Sequence, residues 1–161
     1  MTENWVINAS PLILLGKSGQ LGWLPRLGRV IIPQAVAAEV AAGSPADPAR
    51  QWLSGSIGAA MIEPTVPATD ELLAWDLGHG ETAVIACGMA HAGYEAILDD
   101  AAARRCGEVF GIPLRGTLSL VALAKKRGLV EACRPVFARM RAAGLFVTPA
   151  LVEQVARAAG E

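Results

Sequence analysis

The stretch ILDDAAARR, Ile97 to Arg105, decides how the chain is read. A short apolar run stops at two adjacent aspartates, Asp99 and Asp100, and a helix-forming basic segment follows. Apolar residues that end abruptly at polar ones read as a buried strand handing over to a helix. Two like charges side by side at that junction are costly unless water, a cation or a helix N-terminus meets them. Asp100 can cap the helix that begins at Ala101, which is the ordinary use of an aspartate there. Asp99 has no such use.

Outward from this stretch, strand and helix signals alternate. Trp5 to Asn8, Arg29 to Ile32, Ala60 to Ile62, Glu95 to Leu98 and Ile112 to Leu114 read as short, apolar, largely β-branched strands. Between them, Ser10-Pro11 reads as a helix opening with Ser10 as N-cap. Gln34 to Ala42 and Ala101 to Phe110 read as helices closed by glycine, and Asp47 caps a helix through Trp52. Thr69 opens a short helix that Gly78-His79-Gly80 breaks, and Glu81 to Ala92 is apolar on most of its circumference. Two or three helices finish the chain, over Leu118–Arg127, Val130–Ala143 and Pro149–Ala159. The alternation predicts an α/β fold: a three-layer α/β/α sandwich around a mostly parallel sheet of about five strands. Sites in such sheets form beyond the carboxyl ends of the strands, where strand order reverses. That rule points to Asn8–Ser10, to Pro33 onward, to Asp99-Asp100 and to Arg115–Thr117.

The 161 residues suit one domain, 1–161. With 53% hydrophobic and 18% charged residues the chain is a packed globular protein. The net charge of −1 excludes a whole-molecule basic field, so any contact with nucleic acid must be local. No apolar run reaches the roughly 18 residues that span a bilayer, and MTENWVINAS lacks the basic start of a signal peptide. Three widely spaced cysteines, Cys87, Cys106 and Cys133, form no Cys-x-x-Cys pair. They suit reduced thiols in a cytoplasmic protein rather than a disulfide scaffold or zinc site.

Acidic residues carry the chemistry. Glu39 interrupts an otherwise apolar run from Ala35 to Ala42, and Glu81 heads an apolar helix. With Asp99 and Asp100 they form a carboxylate set at strand ends and on central helices, and Asn8 ends the first strand. Oxygen donors of this kind suit Mg²⁺ or Mn²⁺. Plainer readings stand beside this one. Glu81 suits a helix N-terminus, Glu39 a solvated face, and Asn8 a turn before Ser10-Pro11. His79 and His91 read as surface or packing residues. Gly16-Lys17-Ser18 lacks the glycine spacing of a phosphate loop. Among the basic residues, Arg104, Arg105 and Arg115 follow the aspartates and could meet phosphates, while Lys125-Lys126-Arg127 reads as a solvated face. One tyrosine and few other aromatics argue against recognition by base stacking.

The chain resembles the PIN-domain family, and within it the prokaryotic PIN-like proteins related to toxin–antitoxin ribonucleases. The resemblance rests on VINASPLILLGKSG (Val6–Gly19), IIPQAVAAEV (Ile31–Val40), LGHGETAVIACG (Leu77–Gly88), the run from Ile97 to Val130, and AAGLFVTPALVEQV, all in order. It implies an acidic pocket holding one or two Mg²⁺ or Mn²⁺ ions and metal-dependent hydrolysis of RNA. The family's acidic positions fall on Asn8, Glu39, Glu81 and Asp100, with Asp99 beside the last. Ser10, Arg104, Arg105, Arg115 and Thr117 are the substrate-binding candidates. RNA and an antitoxin protein are the implied partners. Where the family pattern has aspartate this chain has Asn8, which offers a metal one carbonyl oxygen and no charge. Asp99 could supply the missing charge. A binding module with a weakened site is therefore the rival reading. An aspartyl phosphatase is a third, and Asn8-Ala9-Ser10 lacks the Asp-x-Asp it would need. Phe137, Leu145 and Phe146 are apolar candidates for a homodimer contact.

Overall fold

The computed structural model describes residues 3–161. Five strands form one all-parallel sheet: β1 (Asn4–Ile7), β2 (Arg29–Pro33), β3 (Ile62–Glu63), β4 (Tyr94–Ile97) and β5 (Leu114–Arg115). Their order across the sheet is β3-β2-β1-β4-β5. Trp5, Val6 and Ile7 of β1 and Val30, Ile31 and Ile32 of β2 are buried, because helices cover both faces of a parallel sheet. Each such side chain contributes about 1.5–3 kcal/mol by leaving water. The architecture is the expected three-layer α/β/α sandwich.

The helices are α1 (Ala9–Lys17), α2 (Leu24–Leu27), α3 (Gln34–Ala41), α4 (Pro48–Ser54), α5 (Ser56–Ala59), α6 (Asp70–Leu73), α7 (His79–Ala90), α8 (Ala101–Val109), α9 (Thr117–Lys126), α10 (Cys133–Ala142) and α11 (Pro149–Ala158). Ala83 to Cys87 of α7 are buried at five consecutive positions, as a central helix demands. It packs on α3 and against β1, β2 and β4. Asp47 and Thr69 cap α4 and α6 through their side chains, as their positions predict.

Most boundaries shift by a residue or two from the sequence reading, and four of the shifts have a visible reason. Helix α1 starts two residues early: Asn8 has the extended N-cap backbone, and Ser10 lies inside the first turn as an exposed residue. Helix α7 starts at His79, because the Glu81 carboxylate accepts from the Gly78 N–H and closes the turn there. Strand β5 starts after Pro113, because the Ile112 N–H is already given to the Gly107 carbonyl at 2.9 Å. Helix α10 starts at Cys133, where the distant Glu161 carboxylate accepts from the Cys133 and Arg134 N–H groups. No helix among the described residues is long and apolar enough to cross a membrane.

Strand order places the site. From β1 the chain turns to β2 on one side, and from β4 it turns to β5 on the other. Neighbouring connections diverge between the carboxyl ends of β1 and β4, and a crevice opens there. The Asn8 N–H still reaches the Ile97 carbonyl at 3.3 Å, so the two strand ends stay together at its floor.

Candidate active site

Asn8, Ser10, Glu39, Glu81, Asp99 and Asp100 line one cleft of about 560 Å³ at this crevice. Five elements deliver them. Asn8 comes from the β1–α1 turn, Ser10 from α1, Glu39 from α3, Glu81 from α7, and the aspartates from the β4–α8 turn. The far wall is the α10–α11 loop, with Leu145 and Phe146.

Asn8 is only 5% exposed, and its Oδ1 is buried without a hydrogen-bond partner among the described residues. An amide oxygen left so costs about 1–3 kcal/mol. Asn8 lines the polar cleft, and an orphaned oxygen on such a residue is suited to a ligand.

Glu39 and Glu81 are held by the α7 N-terminus. Glu39 Oε1 accepts from the Gly80 N–H at 2.7 Å, and Glu81 Oε2 from the Gly78 N–H at 3.2 Å. A Cβ on Gly80 would lie 2.7–2.9 Å from three atoms of the Glu39 carboxylate, so only glycine lets that carboxylate in. Partial burial pushes the Glu81 carboxyl above its ordinary range. The Gly78 N–H opposes this, and the negative charges of Asp100 and Glu39 reinforce it. The carboxylates therefore feel one another, as groups around a shared cation would.

The aspartates divide their work. Asp100 Oδ2 accepts from the Ala103 N–H at 2.9 Å and caps α8, leaving Oδ1 outside that cap. Asp99 accepts from the Thr117 N–H at 2.8 Å and from the Thr117 hydroxyl. Thr117 is fully buried, which corrects its reading as a substrate contact: its hydroxyl is committed to Asp99. Arg115 turns away to pair with Glu95 and borders a separate groove between α9 and α11. Arg105 is exposed and lines neither that groove nor the cleft. Arg104 is half-buried; its Nη1 donates to the Leu98 carbonyl at 2.8 Å, and it borders a second cleft that shares Asp99.

Sequence reasoning missed the C-terminal wall. Phe146 is 99% exposed at the rim, Leu145 is half-buried, and Phe137 is wholly buried in the core. The three therefore do not form the expected apolar patch. Its one local signal was an aromatic between Gly144 and Pro149, in a loop. Cys87, Cys106 and Cys133 are all buried with free thiols, and burial pushes Cys87 up to about 11.

A family model described as a PIN domain matches residues 4–161. The chain belongs to the PIN-domain family. Function of the nuclease type, binding of nucleic acid and use of divalent metal ions are general to PIN domains. No curated protein and no solved structure matches the chain.

The donors of this PIN domain fit a hard divalent ion in chemistry. They are all oxygens, most of them anionic, and one is orphaned. They are not drawn into a finished cage: among the described residues, no three His, Cys, Asp or Glu side chains group closely enough to hold a metal as they stand.

Proposed function

We propose that this PIN domain is a Mg²⁺- or Mn²⁺-dependent ribonuclease, with Asn8, Glu39, Glu81, Asp99 and Asp100 as its metal-binding and catalytic set. The observation that carries this reading is the buried, unpartnered Asn8 Oδ1 in a cleft shared with four carboxylates. A divalent ion, when bound there, supplies an activated water and positive charge for the developing phosphorane. The protein's part is positional. Asn8 offers a neutral oxygen, Asp100 its Oδ1, and Glu39 is oriented by the Gly80 N–H. Glu81 holds a proton to higher pH than an ordinary glutamate. Ser10 lies at the rim, within reach of a substrate phosphate.

The reading is tested by incubating purified protein with labelled RNA and Mn²⁺. Asp100→Asn is the informative variant, since asparagine also caps helices well. We expect cleavage by the wild type, and about a hundredfold loss in Asp100→Asn with an unchanged melting curve. Absence of cleavage with any divalent ion overturns the reading.

Asn8, a neutral residue at the end of β1, favours a second reading, a binding module whose site is too weak for metal. Calorimetric titration with Mn²⁺ separates the two. Heat no greater than that of an Asp99/Asp100 double variant selects the binding module. A toxin role with an antitoxin partner, and residence in the cytoplasm, extend the first reading and rest on the sequence resemblance. Co-purification of a small partner that suppresses cleavage would support the toxin role.

A further inference from the structure

Phe146 stands on a ridge between two clefts. On one side is the acidic cleft. On the other is a cleft of about 410 Å³ bordered by Arg104, Ser119, Thr148 and Leu151, and Asp99, Leu145 and Phe146 line both. A phenyl ring 99% exposed gains nothing for the fold by standing in water. Among the described residues, the other large apolar side chains classed as exposed are 37–68% exposed.

The loop that presents the ring is fixed at both ends. Behind it the Leu145 N–H returns to the Met140 carbonyl at 3.0 Å, with Gly144 at φ 110° making the turn. Ahead of it Thr148 caps α11 by accepting from the Leu151 N–H at 3.1 Å. Leu145 and Val147, on either side, pack against the core. The aromatic is thus held out by an anchored backbone, and little ordering remains when a flat partner lands on it.

We propose that Phe146 and the cleft behind it form a nucleobase subsite. A base of single-stranded RNA next to the phosphate in the acidic cleft stacks on the Phe146 ring and enters the neighbouring cleft beside Arg104. This rests on the ribonuclease reading and names the part of the substrate it leaves unassigned. Three features favour a base as the occupant. The second cleft continues directly from the proposed site of hydrolysis, so a strand held there must pass the ridge. Its mixed lining of apolar edges with Arg104, Ser119 and Thr148 suits a flat ring with polar edges. Its size lies within the range of small-ligand pockets. Stacking needs only a π-face, so it gives affinity with little sequence preference. A duplex keeps its bases stacked on one another, so the subsite selects single strands. Composition counts few aromatics, and it does not say where one stands.

Binding is measured separately from cleavage. A phosphorothioate oligoribonucleotide carrying 2-aminopurine is titrated with wild type, Phe146→Ala and Phe146→Trp in Mg²⁺. Melting curves confirm folding, and sedimentation velocity records oligomeric state. We expect Phe146→Ala to bind about five- to a hundredfold more weakly, in keeping with the loss of one stacked base. Phe146→Trp should bind as tightly as wild type, and 2-aminopurine at one position should be quenched by wild type alone of the first two. Wild-type affinity in Phe146→Ala overturns the subsite and leaves the ribonuclease reading standing. No binding by the wild type overturns the ribonuclease reading itself. A shift from dimer to monomer in Phe146→Ala, with oligonucleotide affinity unchanged, makes the ring a protein contact and overturns the subsite.

Discussion

Thr117 donates to Asp99 twice, from its N–H at 2.8 Å and from its hydroxyl, and so ties the end of β4 to the start of α9. The pair fixes the Asp99 carboxylate and leaves only its remaining lone pairs for a ligand. Thr117→Val keeps the shape and removes the hydroxyl donor. The variant should lose about 1–3 kcal/mol, the cost of leaving a buried polar group short of a partner. Thr117→Ser should recover most of it. Urea denaturation of the three proteins checks this. Equal midpoints would mean that the hydroxyl contributes nothing.

Gly80 gives a prediction about where Glu39 stands. In most helix positions glycine to alanine stabilises, by up to about 1 kcal/mol. Here a methyl would sit 2.7–2.9 Å from the Glu39 carboxylate, which must then swing out of the cleft and release the Gly80 N–H. The carboxylate is the end of a flexible, exposed side chain, so the shift costs little and Gly80→Ala should stay within about 1 kcal/mol of wild type in stability. It should also weaken Mn²⁺ binding by calorimetry. A variant with intact Mn²⁺ affinity would remove Glu39 from the proposed set.

Much of the fold was legible because parallel sheets write plainly: Val30-Ile31-Ile32 and Ala96-Ile97-Leu98 are apolar runs between helix signals. The acidic cleft was legible for a related reason. Glu39 and Asp99 were conspicuous as charges where apolar neighbours predict burial. What stayed hidden depends on contacts between distant parts. The Thr117 hydroxyl could be given to Asp99 only once β4 and α9 met. Helix α10 begins where Glu161, 28 residues from Cys133, brings its carboxylate. Phe146 reads as a loop residue until α10 and α11 swing that loop over the cleft.

Acid should loosen the C-terminal helices through Glu161. The Lys125 ammonium at 2.8 Å, helped by the Cys133 N–H, holds its carboxyl down at about 2 from an ordinary 4.5. A carboxyl depressed on folding binds fewer protons in the native state, so it contributes stability above its unfolded value. That contribution fades as pH falls from about 4.5 towards 2. Thermal melts across this range should show a steeper loss of Tm in wild type than in Glu161→Gln, which should start lower at neutral pH. Parallel curves would show that the Lys125–Glu161 contact does not couple to folding.

Asn8 allows the most direct test of the cleft. Its Oδ1 is orphaned and buried, and the carboxylates of Glu39, Glu81, Asp99 and Asp100 line the same cleft. Asn8→Asp changes little in shape and adds a negative charge to a group already strained by its own. Without divalent ions that charge is repelled, by about 1–4 kcal/mol for a neighbour at about 4 Å. The variant should melt below the wild type in EDTA. With Mn²⁺ the same charge attracts, and affinity should rise by at least about tenfold, equal to about 1.4 kcal/mol. The order of the two melting curves should thus reverse as Mn²⁺ is added. Asn8→Leu removes the orphaned amide; it should melt no lower than wild type in EDTA and respond little to Mn²⁺. Asp99→Asn tests whether Asp99 makes up for the charge missing at Asn8, since it should then weaken Mn²⁺ binding in the wild-type background and less so beside Asn8→Asp. If Asn8→Asp leaves Mn²⁺ affinity unchanged, the orphaned oxygen does not face the ion, and the proposed metal set loses its first member.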